Sequence, residues 1–396
     1  MKKRLLFLIH TLQIGGAEKV LVNLLKYIDK TKYDITVMTI VNDGVFVKDV
    51  EKIEGIHYDY IFNAFFKKSR YNKKSIFYSI SNKLMNQIWK FYIFLCKYYP
   101  KQIYKHYIKD TFDVEIAFLE GKCAKLIHSS YNKNSKKIAW IHTDITKSTS
   151  FQNSFLENEK LEVYQDFDKI FCVSEEVKKQ FISDIKDFGN IEVKLNPIDC
   201  SEIIKLSKEE IDLKVNENVP ILCSVGRLVH AKGFDRLLQV HKKLLENGID
   251  NRLWIIGEGA ERASLEDYIF DNNLQHTVTL LGYQQNPYKY LSKADIFVCS
   301  SRTEGLSSAL IEASLLHKPI VSTAIAGIKD IFGNSNDNAI ITENDTDSLY
   351  EGLYQILTDK NLYQNYLKNI TCMENKFSIE KTISSIENSI DELLLN

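Results

Sequence analysis

The chain of 396 residues is 44% hydrophobic and carries a formal net charge of −1, with 51 Lys and Arg against 52 Asp and Glu. That length exceeds a single compact core and points to two domains of about 200 residues each. Seven cysteines with no C-x-x-C pair and no His/Cys cluster exclude a disulfide framework and a zinc site, and the lack of about 18 uninterrupted apolar residues excludes a membrane-spanning helix.

The charge is uneven: residues 1–200 hold 32 basic and 24 acidic side chains, residues 201–396 hold 19 and 28. The opening "MKKRLLFLIHTL" imitates a signal peptide, but its apolar run ends at His10 and no small-residue cleavage site follows. It reads as a first buried strand. "RLLFLIH" passes through "TLQIGG" into the helix "AEKVLVNLLKYI", and "YDITVMTIV" follows as the next strand. Later, "DVEIAFL", "KIAWIH" and "KIFCVS" read as strands, each followed by polar or helical sequence. Strand-like runs alternating with amphipathic ones describe an α/β domain over residues 1–200.

Around "KLNPIDCSEIIKLSKEEIDLKVNENVP" the pattern loosens, and a linker is expected there. A second alternating series then runs from "PILCSVGRL" through "FDRLLQVHKKLLENG", "RLWIIGEG", "ERASLEDYIFDNN", "VTLLGY", "ADIFVCSS", "SSALIEASLLH", "KPIVST" and "NAIIT" to "DSLYEGLYQILTD". It describes a second domain over 201–376, and the amphipathic "SIEKTISSIENSIDELLL" closes the chain. Cys172, Cys223 and Cys299 lie inside apolar runs and read as core residues in a reducing compartment. The simplest architecture is a pair of doubly wound domains facing each other across a cleft, with ligands beyond the carboxyl ends of the strands.

Three loops after strands of the second domain carry ligand chemistry. In "GRLVHAKGF", Gly226 permits a tight turn, while Arg227 and Lys232 beside a helix start suit a phosphate or diphosphate, although a solvated loop with a basic rim reads equally well. Gly257 after "LWII", and Gly282 with Tyr283 after "VTLL", place small residues at strand ends where a flat group could approach the backbone. In "SSRTEGLSSALIEASLLHKP", Glu304-Gly305 is loop and Ser307 or Ser308 is a good N-cap, so free N–H groups form an anion site. Glu304 and Glu312 then stand on opposite sides of that site, too far apart to share a proton or a metal ion. They bracket a ligand that is anionic in the middle and hydroxyl-rich at both ends, as a nucleoside diphosphate sugar is. A retaining glycosidase would need carboxyl groups about 5 Å apart.

"GRLVHAKG" followed by "TEGLSSALIEA", with the Glu-x7-Glu spacing of Glu304 and Glu312, resembles the retaining glycosyltransferases of family 4; "GG" after the first strand, "WIH" and "NPID" match as well. The resemblance covers most of the chain and implies the GT-B fold, two Rossmann-like α/β domains facing a cleft, with the final helix 377–396 returning to the first domain. It implies that Arg227 and Lys232 bind the donor diphosphate, Glu312 the ribose hydroxyls and Glu304 the transferred sugar, with Gly305, Leu306 and Ser307 near the distal phosphate. In the first domain it implies that Gly15 and Gly16 let backbone approach donor and acceptor, and that His142 lies near the reacting sugar. Gly15-Gly16 is not G-x-G-x-x-G, so a nicotinamide site is not expected. The resemblance implies no cofactor beyond a UDP-sugar donor and no required metal. The two D-x-D triplets, Asp166–Asp168 and Asp345–Asp347, read as structural. A sugar-nucleotide epimerase of the same fold and a non-catalytic nucleotide-sugar-binding subunit stand as alternatives.

Residues 61–109 hold 11 Lys and Arg, 14 aromatics and no Asp or Glu. Cations for anionic headgroups and aromatics for the interface suit a membrane surface, while an ordinary helical insertion packed on the core is the plainer reading. Nucleic acid is not expected. The expectation is a cytoplasmic protein, peripheral on the inner face of the plasma membrane, that uses a lipid-linked saccharide acceptor. The biosynthetic setting implied by the resemblance is capsule, exopolysaccharide or lipopolysaccharide assembly.

Overall fold

A computed structural model describes residues 2–63, 76–213, 218–333, 338–369 and 374–395. The chain forms two compact units: unit 1 comprises residues 1–173, 177–194 and 383–396, and unit 2 comprises 174–176 and 195–382.

Unit 1 is built on a seven-stranded parallel sheet of β1 (Lys3–Ile9), β2 (Tyr33–Asn42), β3 (Ile56–Asn63), β4 (Val114–Ala117), β5 (Lys136–Ile141), β6 (Lys169–Cys172) and β7 (Ile191–Val193). The order is β3-β2-β1-β4-β5-β6-β7, so it reverses between β1 and β4. In register, Leu5 faces Ile35 on one side and Val114 on the other. Leu5 to Ile9 are all fully buried, because helices cover both faces of a central parallel strand and an unbroken apolar run is what such a strand needs. The edge strand β3 is half exposed and alternates polar with apolar residues, as an edge strand with one covered face does.

The final helix, Ile379–Leu395, packs within unit 1 over the part from residue 383 onward. Ile383, Ile386, Ile390 and Leu393 are buried at helical spacing, each burial contributing about 2 kcal/mol. Polar contacts fix its register: Glu387 accepts the Asp29 amide at 2.7 Å, the Tyr33 hydroxyl donates to Asp391, and Lys169 pairs with Glu392 at 2.9 Å.

Of the basic aromatic segment, residues 64–75 lie outside the described residues. Residues 61–63 belong to β3, and helices Ile76–Tyr98 and Pro100–Tyr107 follow. Its aromatics divide. Phe62, Tyr92 and Tyr104 are buried, with Phe62 and Tyr92 stacked at 4.1 Å, whereas Phe91, Phe94, Tyr98, Tyr99 and Tyr107 are exposed. The buried Lys125 ammonium bonds the Lys97 carbonyl at 2.5 Å and Glu159 at 2.6 Å, fastening the end of the longer helix to unit 1. No helix among the described residues is long and apolar enough to cross a membrane.

Unit 2 is built on a six-stranded parallel sheet of β8 (Ile221–Val225), β9 (Arg252–Ile256), β10 (Val278–Gly282), β11 (Ile296–Cys299), β12 (Ile320–Thr323) and β13 (Ile340–Thr342), in the order β10-β9-β8-β11-β12-β13. The reversal lies between β8 and β11. The segment read as a linker carries the helix Cys200–Leu206, capped by Asp199, and its end is tied into unit 2 where Asn286 donates to the Leu206 carbonyl at 2.8 Å.

Candidate active site

A reversal of strand order leaves a crevice at the carboxyl ends of the two strands beside it, because the connections leave to opposite sides. In unit 2 those strands are β8 and β11, followed by the loops of "GRLVHAKG" and "SSRTEGLS". The two loops are bound to each other. Arg302 donates from its amide to the Ala231 carbonyl at 2.7 Å and from its guanidinium to the His230 carbonyl at 2.8 Å, and it holds Asp235 bidentately at 2.7 Å. The Ser300 hydroxyl donates to the Lys232 carbonyl at 2.9 Å. Gly233 sits at φ 65, where a Cβ would lie 2.1 Å from the Ser300 carbonyl oxygen, so glycine is required there both for conformation and for close approach.

This lacing places Lys232 against Glu304, with Nζ 2.5 Å from Oε1. The same oxygen accepts the Ser301 hydroxyl at 2.6 Å. The lysine stem runs past Gly226, where a Cβ would stand 3.4 Å from its Cδ and Cε. Arg227 is exposed and makes no side-chain hydrogen bond among the described residues. Behind the loop, the buried Arg236 donates to the Ser300 and Ser301 carbonyls at 2.7 Å each and to the Asn344 side chain at 2.8 Å.

Gly305 and Leu306 lead into Ser307, the extended N-cap of the helix Ser308–Leu315, whose side chain makes no capping bond. The Gly305 carbonyl accepts the Ser174 hydroxyl at 3.1 Å. Glu312, five residues into the helix, is 6% exposed and accepts the Tyr288 hydroxyl at 3.1 Å. Around Gly257 the space is internal: a Cβ would lie 1.8 Å from the Gly226 carbonyl oxygen, so protein backbone occupies the face a glycine leaves open. Gly282 (φ 69) lies beside the Glu258–Arg262 pair, and Tyr283 after it is partly exposed.

Unit 1 gathers a second set of groups after β1, β4 and β5. His142, just after β5, is buried, and its amide donates to Glu120 Oε2 at 3.0 Å; the Thr143 hydroxyl donates to Oε1 at 2.9 Å. Burial lowers the His142 pKa to about 3 against a hydrogen bond to the Phe118 backbone, so the ring is neutral. Nε2 is buried with no hydrogen-bond partner among the described residues, so the Phe118 bond falls to Nδ1 and Nε2 keeps its lone pair as an acceptor. Burial raises the Glu120 pKa, and the His142 amide opposes that rise. Gly15 is the extended N-cap of the helix Gly16–Tyr27, and a Cβ there would collide with the Glu18 carboxylate. Gly16 has no atom within 4 Å of its Cβ position.

Sequence reasoning passed over Glu120, Ser301, Arg236 and Tyr288. Only Glu120, in "LEG" directly after a strand, offered a signal of the kind used elsewhere. The D-x-D aspartates hold structure: Asp168 accepts the Lys137 amide at 2.7 Å, Asp166 lies 3.2 Å from His128, Asp345 caps the helix Thr346–Thr358 and Asp347 pairs with Lys243 at 3.0 Å.

Residues 207–371 match the family model described as Glycosyl transferases group 1. A Campylobacter jejuni N-acetylgalactosamine-N,N'-diacetylbacillosaminyl-diphospho-undecaprenol 4-alpha-N-acetylgalactosaminyltransferase is 32% identical over 44% of this chain and 46% of its own length. An uncharacterized glycosyltransferase of Haemophilus influenzae is 27% identical over 97% of this chain and 98% of its own. The chain thus spans about half the length of the first of these relatives and nearly all of the second. Among solved structures, Anabaena Alr3699/HepE in complex with UDP and glucose superposes with a TM-score of 0.73 at 14% identity, covering 98% of this chain and 100% of that one. Staphylococcus aureus TarM gives 0.70 at 15% identity, covering 100% of this chain and 99% of that one.

Proposed function

We propose, from the match of residues 207–371 to the group 1 glycosyl transferases and from the GT-B fold, that the chain transfers a sugar, with retention, from a nucleoside diphosphate sugar to a saccharide acceptor. The observation that carries the reading is the meeting of Lys232, Glu304 and the Ser307 helix start at the strand reversal of unit 2. Lys232 and Arg227 take the diphosphate, with backbone of Gly305, Leu306 and Ser307 beside the distal phosphate. Glu312 takes the ribose hydroxyls and Glu304 the sugar. In the transfer the bond from the anomeric carbon to the phosphate oxygen breaks and its electron pair leaves with the diphosphate. The acceptor oxygen bonds the same carbon and its proton passes to the departing phosphate. A preorganised cationic clamp stabilises the charge that develops on the leaving group, and the reading assigns no step to a metal ion.

The acceptor falls to unit 1, where Gly15, Gly16 and His142 stand at the carboxyl ends of the strands. The UDP bound to Anabaena Alr3699/HepE supports UDP as the nucleotide, and the diphospho-undecaprenol in the name of the Campylobacter jejuni relative supports a lipid-linked saccharide as the acceptor; capsule, exopolysaccharide or lipopolysaccharide assembly is the setting this reading takes. The exposed Phe91, Phe94, Tyr98 and Tyr99 beside Lys90, Lys97 and Lys101 suit attachment to the anionic cytoplasmic face of a membrane.

A thermal-shift panel of nucleotide sugars tests the core of the reading, since a ligand that binds only the folded state raises the melting temperature. One UDP-sugar should give the largest shift, and Glu312→Ala should abolish it. An unchanged shift in that variant removes the ribose role.

A further inference from the structure

We propose that Glu304 is an internal counter-ion for Lys232, held in place by Ser301, and that it makes the site distinguish a nucleoside diphosphate still carrying its sugar from one that has lost it. The inference rests on the reading of unit 2 as a nucleotide-sugar site.

Three contacts define the arrangement. Lys232 Nζ lies 2.5 Å from Glu304 Oε1, and both side chains are largely shielded, at 23% and 12% exposure. The Ser301 hydroxyl donates to the same oxygen at 2.6 Å. Ser301 is itself fixed, because its carbonyl accepts Arg236 at 2.7 Å and the Thr323 hydroxyl at 2.7 Å, while the Cys299 thiol approaches its hydroxyl at 3.6 Å. The carboxylate therefore has an assigned place on the lysine.

A diphosphate that reaches Lys232 enters a position already neutralised by a carboxylate. In a partly shielded site the repulsion between the two anions is weakly screened. Glu304 relieves it by turning to other hydrogen-bond donors. Sugar hydroxyls are such donors, and a bare diphosphate has none at neutral pH. The carboxylate thus disfavours the spent nucleotide and tolerates the sugar nucleotide, which is discrimination by repulsion against the wrong ligand. Once the sugar has left, Glu304 returns to Lys232 and weakens the hold on the product. A lysine whose carboxylate merely oriented it would behave in the opposite way, since removing the carboxylate would weaken both ligands.

The test is calorimetric titration of wild type, Glu304→Gln and Ser301→Ala with UDP, GDP and ADP, and with UDP-glucose, UDP-N-acetylglucosamine and GDP-mannose. For the base that wild type binds, Glu304→Gln should bind the nucleoside diphosphate about threefold to tenfold tighter, the range expected for a partly screened charge contact. Its affinity for the sugar nucleotide should not rise. Ser301→Ala, which keeps both charges and releases only the hold, should shift the diphosphate in the same direction by less. Equal or weaker diphosphate binding by Glu304→Gln overturns the inference, as does an equal gain for both ligands. If Glu304→Gln does not fold, an unchanged diphosphate affinity in Ser301→Ala overturns it. Wild type that binds no nucleotide and no sugar nucleotide removes the nucleotide-sugar reading, and the inference with it. Wild-type binding without the variant effect removes the inference alone.

Discussion

Arg236 is a buried guanidinium whose hydrogen bonds among the described residues all go to neutral acceptors: the Ser300, Ser301 and Asn344 carbonyls, the Asn344 side chain and the Thr323 hydroxyl. Desolvation lowers its pKa, and the charge of Arg302 adds to that. Removing it strands the buried Ser300 carbonyl and leaves the Ser301 carbonyl to the Thr323 hydroxyl alone, beneath the Glu304 loop. Arg236→Met should therefore cost about 3 kcal/mol or more in urea denaturation, and Arg236→Lys should recover only part of it, because an ammonium cannot reproduce the fork. Tyr288 acts on a smaller scale. Tyr288→Phe removes a hydroxyl donor to the Glu312 carboxylate, and nucleotide affinity by calorimetry should fall about threefold to tenfold with little change in melting temperature. None of this was legible in the sequence. Arg236 sits inside the helical pattern "FDRLLQ", where an arginine reads as a solvated face, and the carbonyls it serves are 64 and 65 residues away. Lys232 and Glu304 were legible as separate loop residues, but not as a pair, because 72 positions separate them.

At the scale of elements, the central strands were readable because both their faces are covered and their sequences run apolar without interruption. β3 and β7 were not: β3 is a half-exposed edge interrupted by His57 and Asp59, and β7 is three residues with Glu192 at their centre. The loops after strands carry the candidate site because a strand-order reversal opens there, and glycines within them serve two different ends. Gly257, at φ 150, presses against the Gly226 carbonyl, so Gly257→Ala should cost at least about 2 kcal/mol. Gly16 opens a helix with nothing near its missing Cβ, so Gly16→Ala should leave stability unchanged or raise it by up to about 1 kcal/mol. If backbone at Gly16 meets the ligand, transfer should nonetheless fall in that variant; comparing its melting temperature with its turnover separates the two effects.

For the whole molecule, acid should be more damaging than its balanced charge suggests. Burial lowers the His10 and His241 pKa values to about 4 and that of His142 to about 3, from an ordinary 6.5. Each folded value lies below the unfolded one, so the unfolded chain takes up protons first as the pH falls. Stability is whole above about pH 6.5 and is lost from there down to about pH 4, at about 1.4 kcal/mol per pH unit for each histidine. His10, His128 and His142 lie in unit 1 and only His241 in unit 2, so calorimetry between pH 7 and 5 should find unit 1 losing more, although Glu115 and Glu120, whose pKa values burial raises, offset part of it. Equal losses in the two units would show that these histidines do not set the acid limit.

The helix that completes unit 1 leaves the ribosome only after the whole of unit 2. Residues 1–194 emerge about 190 residues ahead of Ile383, an interval of roughly 10 to 40 seconds at about 5–20 residues per second. For that time the apolar surface that Ile386 and Ile390 will cover stands open. Asp29, Tyr33 and Lys169 likewise await their partners on that helix. A nascent chain paused before this helix is therefore the form in which the protein is most exposed to chaperones and to aggregation.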